Sequence, residues 1–583
     1  MPALVLIIAL AGVLLHLATG WRYGLFRDEF YYLACANHLD WGYVDHPPLS
    51  IVVLAAVRGL LGDSLLAVRL VPALLFGLLV WLGACLAREL GGGRFAQSLA
   101  ALSVAIAPVY LALTGFYSMN AFDLVFWAVA ALLLARLVRT DNARLWRPLG
   151  LVVGLGLLNK ISLLFFAFGL AVAVLATPLI RHLKRRELWE GACLALLLFT
   201  PYVLWEMSQG WVTLEFMQNA TRYKNVKLSP LALATAQLTQ LNPVTAPLWM
   251  LGLAWLLFGR TGRRFRALGI VFVATFVVLA VQNSKPYYLG PAFPVLLAAG
   301  ALVVEGLSEV PRRRWVRPAL LVLLVTGGAL TAPFAIPVLP VEAFIRYQRA
   351  LGFTPSVGEK HLLGPLPQHF ADRFGWHELT EEVARIYRAL PEEERANAEI
   401  VTRNYGEAGA IDYYGRRYGL PPARSPHNSY YFWGPGRERP SVMILVGWST
   451  KEVAPSWTQV EVAGRLESPY AMPFETSSPI HVCRGLKMPL EMAWRRARCS
   501  SRWPQLSVKV AGRSYPMGSL RYRHARRFRV GSRFARTRSA LAHGLLNVSL
   551  TATNHRGREV TDATCTRTDS GRTSLRLPNS YQN

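Results

Sequence analysis

A few ionisable side chains stand where ionisable side chains are costly. The first polar stretch after an apolar N-terminus reads Phe26-Arg27-Asp28-Glu29-Phe30-Tyr31-Tyr32, followed by Trp41-Gly42-Tyr43-Val44-Asp45-His46-Pro47-Pro48-Leu49. Adjacent carboxylates beside hydrocarbon must be paired or put to use, because unpaired charge there is expensive. Asp45 and His46, stiffened by two prolines, offer an acid and an imidazole, donors that suit a divalent ion or a phosphate held near a base. Asp123 stands in Gly115-Phe116-Tyr117-Ser118-Met119-Asn120-Ala121-Phe122-Asp123 at the start of an apolar run. Lys160 and Lys285, the latter in Gln282-Asn283-Ser284-Lys285-Pro286-Tyr287-Tyr288, supply cations. Each has a plainer use: solvated loop charge for Asp28-Glu29, a helix-dipole residue for Asp123, and snorkelling for the lysines. Together they can do more. A carboxylate takes a proton from an incoming hydroxyl or amine, and a cation or metal steadies a departing phosphate. Transfer of a sugar from a lipid phosphate needs both, with the lipid tail beside the site.

The elements that must position these groups are membrane spans. Of 583 residues, 53% are hydrophobic and 17% charged. Up to about residue 336 the chain is a series of long apolar runs broken by short basic loops. Runs near 3–19, 65–87, 95–114, 119–138, 148–179, 188–205, 244–259, 267–283, 288–307 and 318–336 approach or exceed the ~18 residues that mark a span. The first lacks a basic flank and is followed by Gly20-Trp21, which favours a retained anchor over a cleaved signal peptide. The net charge of +28 would suggest nucleic acid in a soluble chain, but basic residues in short loops mark the cytoplasmic side instead. No nucleic-acid partner is expected.

Five loops are basic: 88–94, 139–147, 181–186, 260–266 and 312–317. If all five are cytoplasmic, an even number of passes separates each pair. The run 148–179 lies between two of them, so it is expected to be two short passes turning at Asn159-Lys160, giving about 11 in total. Segments 20–63, 115–120, the Asn159-Lys160 tip, 206–243, 284–287 and everything after 336 then lie outside. All the candidate groups fall on that side.

These motifs, with Gly154-Leu155-Gly156-Leu157-Leu158-Asn159-Lys160 and Lys285-Pro286-Tyr287-Tyr288-Leu289-Gly290-Pro291, resemble the polyprenyl-phosphate-dependent GT-C glycosyltransferases. The resemblance is to bacterial relatives of protein O-mannosyltransferases, of the aminoarabinose transferase acting on lipid A, and of rhizobial galacturonosyltransferases of lipopolysaccharide. It covers residues 1 to about 336, with a weaker similarity running to Cys483-Arg484-Gly485-Leu486-Lys487-Met488-Pro489-Leu490. It implies an inverting transfer from a polyprenyl-phosphate sugar to a glycolipid, polysaccharide or protein at the outer face of a bacterial inner membrane. Asp28 matches the leading candidate base and Glu29 follows it, with Asp123 as a second carboxylate of the site. Asp45 and His46 match an acid and base near a metal and the donor phosphate. Lys285 stands where a basic residue contacts the donor, and Lys160 is a further phosphate contact. Tyr31 and His46 replace the Arg and Lys of the aminoarabinose transferases, which argues against that donor.

The expected fold is an all-α polytopic membrane domain over 1–336, a smaller extracytoplasmic α/β domain over 337–500, and an Arg-rich, disordered tail over 501–583. In the α/β domain, helical spacing over 376–390, a helix near 406–417 and buried strands at 398–402 and 442–446 are expected. The aromatic run 429–436 suits a core or turn better than a sugar platform. The tail holds 16 Lys or Arg against 3 acidic residues, a composition that favours disorder. It is able to bind anionic headgroups, or is an extension without a role. Six cysteines show no metal or redox spacing, and pairing of Cys483 with Cys499 stays open. The competing reading is a multi-pass lipid or sugar transporter or flippase, which would place charge near mid-membrane and show repeat symmetry. A non-catalytic scaffold leaves the acidic first loop unexplained.

Overall fold

The computed structural model describes residues 1–498 apart from 283, 356–358, 360–361 and 439, and beyond them only the backbone of short strands between Leu506 and Arg576. Cys499, most of the basic tail and Asn283 thus lie outside the described residues. So does the expectation of a disordered tail, apart from those strands.

Residues up to 334 are helical. Among the described residues, six helices are long and apolar enough to cross a bilayer, or nine if each of three bent pairs is one span, beside the expected total of about 11. Two of the runs are divided. The run 95–114 breaks at Ile106-Ala107 into Arg94–Ala105 and Pro108–Leu113, because a proline is accepted at the first helical position and disrupts a helix interior. The run 148–179 is the expected pair, but its first half, Trp146–Leu157, has only 12 residues, about 18 Å of helix. The turn at Asn159-Lys160 then leads into Leu163–Ala176. Trp146–Leu157 packs on Arg186–Ser208 where Gly150 faces Gly191. A Cβ on either glycine would overlap the backbone of the other helix.

The basic loops gather at one end of this bundle. Arg139 binds Glu89 at 2.6 Å, Arg181 and His182 bind Asp141 at 2.6 and 2.9 Å, and the Arg264 guanidinium donates to the Arg139 carbonyl. Arg317 stacks over Phe95. At the opposite end sit the helix termini that carry the candidate residues, and there the C-terminal domain docks.

That domain holds a five-stranded sheet of β1 (Ala398–Thr402), β2 (Ala423–Arg424), β3 (Val442–Val446), β4 (Trp457–Arg465) and β5 (Pro479–Leu486), in order β2-β1-β3-β5-β4. β2, β1 and β3 are parallel, and β5 runs antiparallel to both β3 and β4. The anticipated helices are present as Trp376–Ala389 and Tyr405–Tyr414. All five residues of β1 and of β3 are buried, as expected of strands covered on both faces. The aromatic run serves packing: Tyr430 is buried, Tyr431 stacks on Trp494, and Trp433 stacks on His38 at 4.2 Å.

The core of this domain does not end at its own residues. Phe30, Tyr31, Tyr32 and Tyr43 of the first loop share one apolar cluster with Trp376, Ile400, Ile411 and Val442. The helix Arg27–Asn37, early in the chain, is therefore packed as part of the C-terminal domain.

Candidate functional site

Glu29 and Asp28 are neighbours in sequence with opposite environments. Both sit in the first turn of Arg27–Asn37, where a carboxylate suits the helix dipole. Glu29 is fully buried and saturated. It accepts from its own cap amide of Phe26 at 2.8 Å, from the Tyr117 amide at 2.8 Å, and from Arg69 Nε and Nη2 at 3.0 and 2.6 Å. This bidentate pair fixes the helix to Leu65–Glu89. The side chain of Asp28 is 37% exposed. Tyr405 donates to its Oδ1 at 2.8 Å and Arg27 Nε lies 3.7 Å from the same oxygen. Among the described residues its second oxygen accepts no hydrogen bond. Glu29, expected to be catalytic, is occupied with holding the helix in place.

Asp123 is likewise engaged. It is 1% exposed, accepts from Ser162 Oγ at 2.6 Å, and pairs with Lys160 Nζ at 3.1 Å. Lys160 also donates to Asn120 at 2.9 Å and lies 5.2 Å over the Tyr288 ring. Asn159 donates to the Met119 carbonyl at 2.9 Å, tying the Asn159-Lys160 turn to the helix Met119–Thr140. The expected second catalytic carboxylate is thus the counter-ion that aims Lys160.

Asp45 and His46 form the floor of the first loop. His46 is fully buried, stacks on Tyr32 with centroids 4.6 Å apart, and binds the Pro47 carbonyl through Nδ1 at 3.0 Å. Its Nε2 lies 3.8 Å from Asp45 Oδ1, and neither atom has a hydrogen-bond partner among the described residues. Burial raises the Asp45 carboxyl above its ordinary value. His46 opposes that shift, and the charge of Asp28 adds to it, so the two aspartates share one electrostatic environment. Two unsatisfied donor atoms fit one edge of a metal shell. Among the described residues, however, no group of three or more His, Cys, Asp or Glu side chains comes together as a metal site.

Lys285 caps the other side. Its Nζ donates to Glu359 Oε1 at 2.5 Å, and Lys224 approaches the same oxygen at 3.3 Å. Burial pulls the Lys285 pKa down, but Glu359, Tyr288 and Asp28 together outweigh it and the net shift is upward. Burial likewise opposes ionisation of Glu359, and Lys224 and Lys285 outweigh it, holding the carboxyl well below its usual range. The Asp28 charge also reaches Lys285. Two ammonium groups share the Glu359 carboxylate, so it offsets only one of their two charges.

These groups are joined by direct contacts. Tyr32 accepts from the Met119 amide at 3.2 Å, linking His46 to the Lys160 side, and Tyr31 stands 5.9 Å from the His46 ring and 4.8 Å from that of Tyr405. The expected residues therefore converge on one end of the bundle. Reading the sequence missed Arg69, Lys224, Glu359 and Tyr405. Arg69 had a signal, a lone cation within an apolar run. The others sit in ordinary polar sequence and reach the site only through the fold.

Similarity to known proteins is consistent with this geometry. The family model for dolichyl-phosphate-mannose-protein mannosyltransferases matches residues 45–205. A lipid A galacturonosyltransferase, RgtD, of Rhizobium johnstonii is 25% identical over 323 residues, covering 53% of this chain. The chain spans 66% of that relative's length. Among solved structures, ArnT from Cupriavidus metallidurans bound to undecaprenyl phosphate superposes with a TM-score of 0.54 at 14% identity, covering 82% of this chain and 97% of that one. The same protein in the apo state gives 0.54 at 13% identity with the same coverage. At such identities the structural match speaks to fold alone.

Proposed function

We propose that this chain, which is similar in sequence and fold to GT-C glycosyltransferases, is an inverting glycosyltransferase that moves a sugar from a polyprenyl-phosphate donor to an acceptor at the extracytoplasmic face of a bacterial inner membrane. The observation that carries this reading is the state of Asp28. Of the candidate carboxylates at the site it is the most exposed, at 37%, and it keeps an oxygen free to take a proton. Gathering of the basic loops at the opposite end supports an outward-facing site, since such loops are retained in the cytoplasm.

In the proposed reaction the acceptor hydroxyl attacks the anomeric carbon as Asp28 takes its proton. The bond from that carbon to the phosphate oxygen breaks, and the phosphate leaves with the electron pair. A single displacement inverts the anomeric centre. Lys160, aimed by Asp123, and Lys285 with Lys224 meet the charge that develops on the leaving phosphate. His46 Nε2, buried and unpartnered, holds the donor. A divalent ion at Asp45 and His46 would polarise the phosphate, but no step here depends on it. Among acceptors, a glycolipid is favoured by the similarity to a lipid A galacturonosyltransferase, with polysaccharide and protein as the other classes.

The test is transfer from radiolabelled undecaprenyl-phosphate hexose, uronic acid and pentose by membranes carrying wild type or Asp28→Asn. Loss of a positioned base lowers the rate by about 10²–10⁴-fold. Undiminished transfer by the variant removes Asp28 as base, and absence of transfer by wild type from all three donors overturns the reading.

A further inference from the structure

The hydroxyl that holds Asp28 comes from the other domain. Tyr405 is 377 residues away in sequence and begins the helix Tyr405–Tyr414 directly after β1. Its ring lies between Tyr31 at 4.8 Å and His427 at 4.9 Å, with the Arg27 guanidinium 5.7 Å over it. The helix behind it has little freedom to shift. Asn404 accepts from the amides of Gly406 and Glu407 at 2.8 and 3.1 Å, and Glu407 returns the bond to the Asn404 amide at 3.1 Å, a reciprocal cap that sets the first turn. Gly406 and Gly409, one turn apart, lie flat against the helix Arg27–Asn37. A Cβ on Gly409 would come within 2.7 Å of the Phe30 side chain and 2.9 Å of its backbone, and one on Gly406 would run into the Arg27 side chain. Two helices pressed together this closely fix the Tyr405 hydroxyl relative to Asp28.

Ser429 makes a second connection from the same domain. Its Oγ bonds to the Tyr31 hydroxyl at 2.7 Å and accepts from the Val44 amide at 3.2 Å, one residue before Asp45. The C-terminal domain therefore grips the first loop on both sides of the acidic groups.

We propose that Tyr405 is a positioning residue for the general base: its hydroxyl occupies Asp28 Oδ1 and turns Oδ2 toward the acceptor, so the C-terminal domain completes the active site. This rests on Asp28 being the base. The phenol gives up no proton. It orders one carboxylate rotamer, leaving the second oxygen with a single direction in which to receive the acceptor's proton.

Tyr405→Phe removes the hydroxyl and keeps the ring packing. Full-length wild type, Tyr405→Phe and Asp28→Asn are compared in detergent with the same labelled undecaprenyl-phosphate donors, measuring kcat, KM for donor, and the thermal midpoint. Misplacing a reacting group costs up to about a hundredfold in rate, so kcat of Tyr405→Phe should fall about ten- to a hundredfold with KM for donor unchanged, while water replaces the hydroxyl at the partly exposed Asp28 and the midpoint moves little. A kcat within about twofold of wild type, about 0.4 kcal/mol, overturns the proposal. A joint loss of kcat, KM and midpoint also overturns it, because the residue is then merely structural. Full activity of Asp28→Asn, or no transfer by wild type, strikes instead at the functional reading and takes this proposal with it.

Discussion

The two ends of the helical bundle are both rich in charge, yet they use it differently. At the basic-loop end, pairs such as Arg147–Glu190 and Arg186–Glu190 are exposed, and one carboxylate serves two guanidinium groups without burial. At the site end, Glu29, Asp123 and Glu359 are almost wholly buried, each with a cation and further donors. Solvent screens an exposed pair and leaves it nearly neutral in stability. A buried pair cannot lose one partner without stranding the other in a medium that does not solvate it. The same residue types therefore make exposed, screened pairs at one end and a rigid scaffold at the other.

The largest expected effect tests that scaffold. Glu29→Ala leaves Arg69 buried without its partner and should destabilise the protein by about 3–5 kcal/mol, read as a lower unfolding midpoint in detergent. Asp28→Asn, one residue away, should leave the midpoint unchanged while removing transfer. Equal thermal effects of the two substitutions would erase the distinction between holding and reacting carboxylates. Next in size is Lys160→Ala, which removes a phosphate contact and frees Asp123. Donor KM should rise about tenfold or more, the range of a hydrogen bond to a charged group, and an unchanged KM would take Lys160 out of the donor site.

A smaller effect concerns Glu407, whose pKa burial raises to about 7 from 4.5. Its shift is opposite to that of a salt-bridged carboxylate. As pH rises from 4.5, the unfolded chain ionises this group while the folded protein keeps the proton until about 7. Glu407 therefore costs nothing below 4.5, costs progressively more up to about 7, and holds a constant cost above that. The midpoint of Glu407→Gln relative to wild type should move upward between pH 5 and pH 8; a pH-independent difference would contradict this. The smallest effect is at the other end. Glu190→Gln, in an exposed pair, should leave both midpoint and transfer where they were.

Much of the architecture was legible. Apolar runs and basic loops are local properties of the chain, so the spans, the break at Asn159-Lys160 and the two buried strands could be read directly. Where the helices end inside those runs was not, because Pro108 divides one run and the helix before Asn159 is short, and run length does not report where a helix ends. At the candidate site, the motifs named residues that the fold brings to one end of the bundle but did not separate Asp28 from Glu29.

Residue types and their order along the chain determined the membrane character, the segregation of basic loops from acidic motifs, and the short list of reactive groups. Only the tertiary structure decided which of those groups stays free. Arg69, Tyr117, Ser162, Glu359 and Tyr405 reach the candidate residues from 39 to 377 positions away. Whether a carboxylate is saturated or available depends on such distant partners and on the exclusion of water around them, and neither is a property of its neighbours in sequence.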